Sequence, residues 1–137
     1  MSRSLRAVVL VAAGLLWLSG VAWMLAHYLF PGHNEFGPLP NPLEAPLMRL
    51  HGLGAVVGVF VFGWLGASHM AARWSAWAGR PSGLWLLGCA VTLIVSGYAL
   101  YYTTGVLHDA AAVLHQSLGL AALGVALVHW LGVRAAR

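Results

Sequence analysis

Apolar residues fill this chain in four long, almost uncharged runs, at about residues 7–30, 47–72, 83–104 and 110–133. An α-helix rises about 1.5 Å per residue, so each run is long enough to cross a hydrocarbon core about 30 Å thick. The pattern therefore predicts an all-α fold. We expect a four-helix transmembrane bundle that forms one integral membrane domain over residues 1–137.

The segments between the runs are polar or rich in proline and glycine. Residues 31–46 read PGHNEFGPLPNPLEAP and show neither helical nor strand periodicity, so we expect an irregular cap over one end of the bundle. Residues 105–109 are predicted to form a tight turn, with Asp109 as the N-cap of the fourth helix. The first run is long for a signal peptide, and no small-x-small cleavage pattern closes it, so we expect a retained span. No internal repeat is evident.

The arginines predict the orientation of the bundle. Six of the seven arginines fall on one side, at the two ends of the chain and between the second and third runs, and only Arg49 falls on the other side. Loops rich in arginine stay in the cytoplasm, so both termini are predicted to be cytoplasmic and residues 31–46 periplasmic. We expect a multi-pass protein of the bacterial inner membrane.

Composition excludes a soluble globular protein. The chain is 61% hydrophobic and 7% charged, whereas soluble domains carry about a quarter charged residues. Its basic net charge of +4 does not indicate nucleic-acid binding, because the arginines lie at the ends of apolar runs and form no patch. Lipid is the expected surrounding. The single Cys89 excludes an intrachain disulfide and a Cys-x-x-Cys-His attachment site for covalent haem.

Four histidines lie within the second and fourth runs at spacings that suggest paired positions. His51 and His69 are 18 residues apart, which at roughly 100° per residue is five whole α-helical turns on one face. His115 and His129 are 14 residues apart and lie within about 40° of each other. The two spans run in the same direction across the membrane. We therefore expect His51 at the depth of His115, and His69 at the depth of His129.

Two facing imidazoles at one depth are the ligand set of a bis-histidine haem. Gly58 and Gly119 lie on the histidine faces, where small residues would leave room for a flat macrocycle. Histidine is a common axial ligand of haem iron. The spacing therefore predicts two haem b groups, one for each pair. Their predicted iron ligands are His51, His69, His115 and His129.

Three arginines near the histidine layers are candidate partners of haem propionates. Arg49, Arg73 and Arg134 carry the fork of donors that binds carboxylates. Each feature also has a structural interpretation. Membrane histidines hydrogen-bond neighbouring helices, glycines allow helices to pack closely, and arginines at span ends set topology.

The other histidines suggest further candidates. His27 lies near the end of the first run and is an alternative outer haem ligand. His33, Glu35, His108 and Asp109 all fall on the predicted periplasmic side. One of these four is a candidate proton acceptor for quinol oxidation.

The RLHG sequence that opens the second span, and the two fourth-span histidines 14 residues apart, carry a family resemblance. The chain resembles four-helix di-haem membrane cytochromes b, the bacterial b561 type and the membrane subunits of hydrogenases and formate dehydrogenases. Several relatives take a haem ligand from the start of the first span, where this chain reads RSLR at residues 3–6. His69 would take that role here. The resulting two-plus-two arrangement is closer to the cytochrome b of quinol–cytochrome c reductase.

The resemblance implies electron transfer between a quinone pool and a partner. We expect the chain to be the electron-transfer subunit of an oxidoreductase complex, with a periplasmic c-type cytochrome or redox enzyme subunit as its partner. One alternative is a stand-alone superoxide:quinone oxidoreductase, in which Arg49 beside the outer haem attracts the anion. A second alternative is a haem-free protein, either a structural membrane subunit or a histidine-lined proton or metal path.

Overall fold

A computed structural model of the protein describes residues 2–71 and 81–135, with side chains as far as residue 132. In these residues it contains four long helices and confirms the all-α class, consistent with a transmembrane bundle. Each helix is long and apolar enough to cross a membrane. The helices are α1 (Arg3–Leu29), α2 (Glu44–Leu65), α3 (Pro81–Tyr102) and α4 (Gly105–Ala135).

The chain divides into two compact units, residues 1–70 and 71–137. In the first unit α1 packs against α2, and in the second α3 packs against α4. We call these helix pairs hairpin 1 and hairpin 2, and the end at which the two helices are joined is the loop end of each. Most apolar side chains of the helices are exposed, as expected for surfaces that face lipid.

Mostly small residues line the seam of each hairpin. In α1 the buried residues recur every seven positions, the spacing of a two-helix seam with coiled-coil-like packing. Small side chains there let the neighbouring backbone approach closely. The buried residues of α1 are Leu5, Ala12, Ser19 and Ala26, and those of α3 are Gly83, Cys89 and Ser96.

The connection in hairpin 1 contains an antiparallel pair of short strands, β1 (Gly32–Asn34) and β2 (Gly37–Leu39). The expectation of an irregular cap was therefore wrong. The Phe36 N–H donates to Asn34 Oδ1 at 2.9 Å, and Gly37 has a φ of 125° that favours glycine. Three-residue strands are too short to show a period of two in the sequence, so only the turn chemistry could have indicated them.

The connection in hairpin 2 is shorter than predicted. The α4 helix begins at Gly105, so Asp109 lies inside the helix and the N-cap prediction was wrong. Gly105 adopts a left-handed φ of 59°, which lets the chain reverse over residues 103–104. The Thr103 N–H and Oγ1 both donate to the Ala99 carbonyl at 2.9 Å and close the end of α3.

The last turn of the second span is a π-helix, Gly66–Met70, which follows α2 directly. A π-helix has i→i+5 hydrogen bonds and turns less per residue than an α-helix. The prediction that His51 and His69 share one helix face assumed an unbroken α-helix between them. That assumption was wrong, because His69 lies in the π-helical turn. Helical periodicity in the sequence does not reveal such a local change, because it depends on backbone hydrogen bonding.

Candidate functional site

His51 is held against α1 within hairpin 1. Its Nδ1 lies 3.0 Å from Ser19 Oγ and 3.1 Å from the Leu16 carbonyl oxygen. A carbonyl oxygen only accepts, so the proton of a neutral His51 is on Nδ1, shared between the two acceptors. The lone pair of this tautomer then lies on Nε2.

The neighbouring Ser19 and Gly20 shape the contact with His51. Ser19 Oγ lies 2.7 Å from the Leu15 carbonyl and donates its single proton there, which leaves the oxygen to accept from the imidazole. A Cβ on Gly20 would lie 3.1 Å from His51 Cε1. The ring therefore rests on a backbone position that has no side chain.

Hairpin 2 contains the same arrangement around His115. Ser96 Oγ lies 2.7 Å from the Thr92 carbonyl and 3.0 Å from His115 Nδ1. A Cβ on Gly97 would lie 3.1 Å from His115 Cε1. Since the Ser96 proton is donated to Thr92, Nδ1 of a neutral His115 carries the proton, and its Nε2 carries the lone pair.

The two hairpins are thus related by an internal repeat. Ser96 follows Ser19 by 77 residues, and His115 follows His51 by 64. The offsets differ because the connection in hairpin 1 is longer than that in hairpin 2. The expectation that the chain lacks a repeat was wrong, because a Ser-Gly pair and one histidine are too short to stand out among apolar residues.

The repeat does not extend to the other two predicted ligands. In hairpin 2, His129 Nδ1 lies 3.3 Å from Ser82 Oγ on α3. The offsets of 77 and 64 place Leu5 and Leu65 at the equivalent positions of hairpin 1. His69 lies beyond Leu65, in the π-helical turn.

The two predicted glycines lie on helix faces that contact their own hairpins. A Cβ on Gly58 would lie 2.7 Å from Leu16 Cδ1, so this position packs α2 against α1. A Cβ on Gly119 would make only an ordinary contact, 3.9 Å from Leu93 Cδ2. The structure thus supports the packing interpretation for Gly58, and a cofactor role for either glycine stays a prediction.

The structure describes the side chain of one of the three predicted arginines. Arg49 is exposed on α2, two residues before His51. Arg73 lies outside the described residues, and only the backbone of Arg134 is described. Their pairing with propionates stays a prediction.

Each predicted haem pair combines a histidine of hairpin 1 with one of hairpin 2, so the pairing itself also stays a prediction. Residues 2–71 and 81–132 contain no cluster of three or more histidine, cysteine and acidic side chains. A bis-histidine haem needs only two protein ligands.

A polar pair at the loop end of hairpin 1 escaped the sequence analysis. His27 Nδ1 lies 3.0 Å from Glu44 Oε2, and the Asn41 N–H donates to Glu44 Oε1 at 2.8 Å. The Trp23 ring stacks on His27 with centroids 4.8 Å apart. His27 and Glu44 are 17 residues apart across a connection that was expected to be irregular, so no helical spacing linked them.

The four candidate proton acceptors lie elsewhere. His33 is exposed on β1, and Glu35 is exposed in the turn between the strands. In hairpin 2, His108 Nδ1 lies 3.7 Å from the exposed carboxylate of Asp109. Neither location provides the enclosure seen around Glu44, whose side chain is 16% exposed.

Comparison of the chain with family models, with curated proteins and with solved structures gives no match. The fold and the site define a multi-pass membrane protein whose two helical hairpins each hold one histidine against a Ser-Gly pair.

Proposed function

We propose that this chain is a di-haem b electron-transfer protein of the membrane. In this proposal His51 of hairpin 1 and His115 of hairpin 2 would hold one haem through their Nε2 atoms. The observation that carries the proposal is the matching hydrogen bonding of the two imidazoles, which places the Nδ1 proton toward a serine in both hairpins. A ligating histidine typically donates its other ring N–H in this way.

The donor set suits haem iron. Each neutral imidazole offers an Nε2 lone pair, and the buried serine that accepts from Nδ1 fixes ring orientation and raises the basicity of the ligand. When bound, a bis-histidine haem exchanges single electrons and offers no open iron position for substrate chemistry. The role of the chain is then to position the ligands and to keep water away from them.

The internal repeat supports the pairing of His51 with His115. His51 and His115 occupy equivalent positions of the two hairpins, and each has the same support from a serine and the glycine that follows it. A single imidazole on each side is what one bis-histidine haem requires.

A second haem is proposed between His69 and His129, supported on the hairpin 2 side by the Ser82 contact. The proposed propionate partners are Arg49, Arg73 and Arg134. We further propose that electrons pass between the quinone pool and a periplasmic c-type cytochrome or redox enzyme subunit, across a bacterial inner membrane with both termini in the cytoplasm. The hydrophobic helices support the membrane setting of this proposal.

A haem-free structural role is the second candidate, and one observation favours it. Ser19–His51 and Ser96–His115 are interhelical hydrogen bonds, and such bonds stabilise membrane helix pairs by roughly 1 kcal/mol each. The leucine that fills the groove at Gly58 adds to that packing. Helix packing through these hydrogen bonds would by itself explain why each hairpin has a buried serine next to a histidine, with no cofactor needed.

Purification of the full chain in mild detergent, with protohaem counted per polypeptide, separates the two candidates. The di-haem proposal expects a Soret band and about two haems. His51→Ala and His115→Ala should each remove about one haem, and the double variant should lose no more than either single variant. His33→Ala, at an exposed strand position, is the matched control. Absence of a Soret band would select the structural role.

A further inference from the structure

We propose that the connection of hairpin 1, residues 30–43, is a lipid-binding element that lies in the interfacial layer of the membrane, with Phe36 as its anchor. The occupant of this surface is the boundary between phospholipid headgroups and acyl chains. The proposal uses hairpin 1 alone and depends neither on haem nor on the proposed function. Four features of the connection carry it: its position beside the helices, its paired backbone, its low charge and the exposure of Phe36.

The second half of the connection lies along the side of the helix pair. Residues 39–42 line a shallow groove together with Trp23 and Met48. Trp23 precedes the end of α1 by six residues, and Met48 is the fifth residue of α2. The connection therefore folds back beside the ends of the two helices instead of projecting beyond them.

The length of α1 places this region at the edge of the membrane. Its 27 residues rise about 40 Å, whereas the hydrocarbon core is about 30 Å thick. The bilayer with its headgroup layers is about 40–45 Å thick, so the final turn of a helix this long lies in a headgroup layer. A segment beside that turn lies in the same layer.

The backbone of the connection pairs many of its polar groups internally. Residues 32–34 and 37–39 pair as strands, and the Asn41 N–H donates to Glu44 Oε1 at 2.8 Å. The Asn41 side chain donates to the Phe30 carbonyl at 2.6 Å and accepts from the Leu43 N–H at 2.9 Å. Four residues of the connection are prolines, which have no N–H to satisfy. Such pairing is what non-helical backbone needs where water is scarce.

The side chains of the connection are largely apolar. Glu35 is the one acidic residue in this stretch of sequence, which has neither lysine nor arginine. Exposed apolar side chains continue from the last turn of α1 into the connection, at Tyr28, Leu29, Phe30, Leu39 and Leu43. This continuity with a lipid-facing helix favours lipid over a soluble protein as the occupant, because one apolar layer covers the whole surface.

Phe36 is held at the turn between the two strands and is 91% exposed. Its N–H donates to Asn34 Oδ1 at 2.9 Å, and the left-handed φ of 125° at Gly37 closes the turn. The hydrogen bond and the glycine fix the backbone that presents the ring. Insertion at the boundary of headgroups and acyl chains would remove the ring from water without a change in the turn.

The depth of position 36 is measured with a spin label in phosphatidylcholine nanodiscs. The label is attached to Phe36→Cys of the full chain, in a Cys89→Ala background that lacks the native thiol. Oxygen collides with labels in lipid, and a nickel chelate collides with labels in water. We expect the oxygen-to-nickel collision ratio to exceed that of Glu35→Cys about fivefold and to approach that of Phe60→Cys, an exposed position inside the second span. Equal ratios at positions 35 and 36 would overturn the proposal.

A second measurement keeps an aromatic ring at the turn and identifies what touches it. The photoreactive amino acid p-benzoylphenylalanine replaces Phe36 in the full chain, membranes are irradiated, and the products are identified by mass spectrometry. We expect an adduct of the chain with one phospholipid, in higher yield than from the same replacement of Glu35. An adduct with another protein, or a lipid yield no higher than that from position 35, refutes the assignment. Neither measurement needs haem, so a missing Soret band counts against the proposed function alone.

Discussion

The two hairpins hold their histidines in the same way but differ in how their helices are joined. In both, a serine accepts from Nδ1 and the next glycine supports the ring. Hairpin 1 is joined through residues 30–43, with two strands and the His27–Glu44 pair, whereas hairpin 2 turns over residues 103–104. The imidazole support is shared by the two hairpins, whereas the strands and the His27–Glu44 pair belong to the connection of hairpin 1.

The opposite ends of the hairpins differ as well. Hairpin 2 adds a Ser82–His129 contact, and hairpin 1 has leucines at those positions and a π-helical turn that carries His69. The two proposed haems therefore rest on unequal structural support. One follows the repeat, and the other joins positions that the repeat does not relate.

The largest expected effect tests whether the second proposed haem, at His69 and His129, is bound at all. His129→Ala and His69→Ala should each remove one haem, about half of the Soret absorbance, if the second site exists as proposed. His108→Ala, at a half-exposed position near the start of α4, is the control. Loss of haem in His129→Ala but not in His69→Ala would show that hairpin 1 supplies a different ligand. The measurement is protohaem per polypeptide, with the midpoint potential of the haem that remains.

An intermediate effect is expected when the supporting serines are removed. Ser19→Ala and Ser96→Ala should each weaken haem binding about tenfold and shift its midpoint potential, because they remove the acceptor for Nδ1–H. Ser117→Ala, at an exposed position two residues after His115, should change neither quantity.

A purely structural hydrogen bond would lower helix-pair stability in the two serine variants without any change in potential. Redox titration in detergent therefore distinguishes the two roles. A shift of the midpoint potential in only one of the two serine variants would show that the two hairpins do not support their histidines in the same way.

The smallest effect concerns the glycines under the rings. Gly20→Ala and Gly97→Ala place a Cβ 3.1 Å from an imidazole carbon, and each should cost about 1–2 kcal/mol of the free energy of unfolding. Gly14→Ala and Gly88→Ala have open space at the Cβ position and should be neutral or stabilising by up to about 1 kcal/mol. Denaturation in mixed micelles measures the difference. Equal stability of all four variants would show that the rings do not depend on these glycines.

Hydrophobic length alone determined the number and the approximate limits of the spans. A helix that crosses lipid must satisfy its backbone polar groups internally and expose apolar side chains, so the four runs were visible without knowledge of the fold. The same reasoning found His51 and His115, because an ionisable side chain within an apolar run is conspicuous.

Tertiary structure decided what these histidines touch and which other residues join them. The contacts of His51 with Ser19 and of His27 with Glu44 link residues far apart in the chain, and no period in the sequence relates them. The strands over Gly32–Leu39 and the π-helical turn at His69 depend on local backbone hydrogen bonds rather than on hydrophobic pattern. The hydrophobicity that places a helix in the membrane can be read from its residue types. Hydrogen-bond partners, in contrast, depend on which side chains meet when two helices pack together.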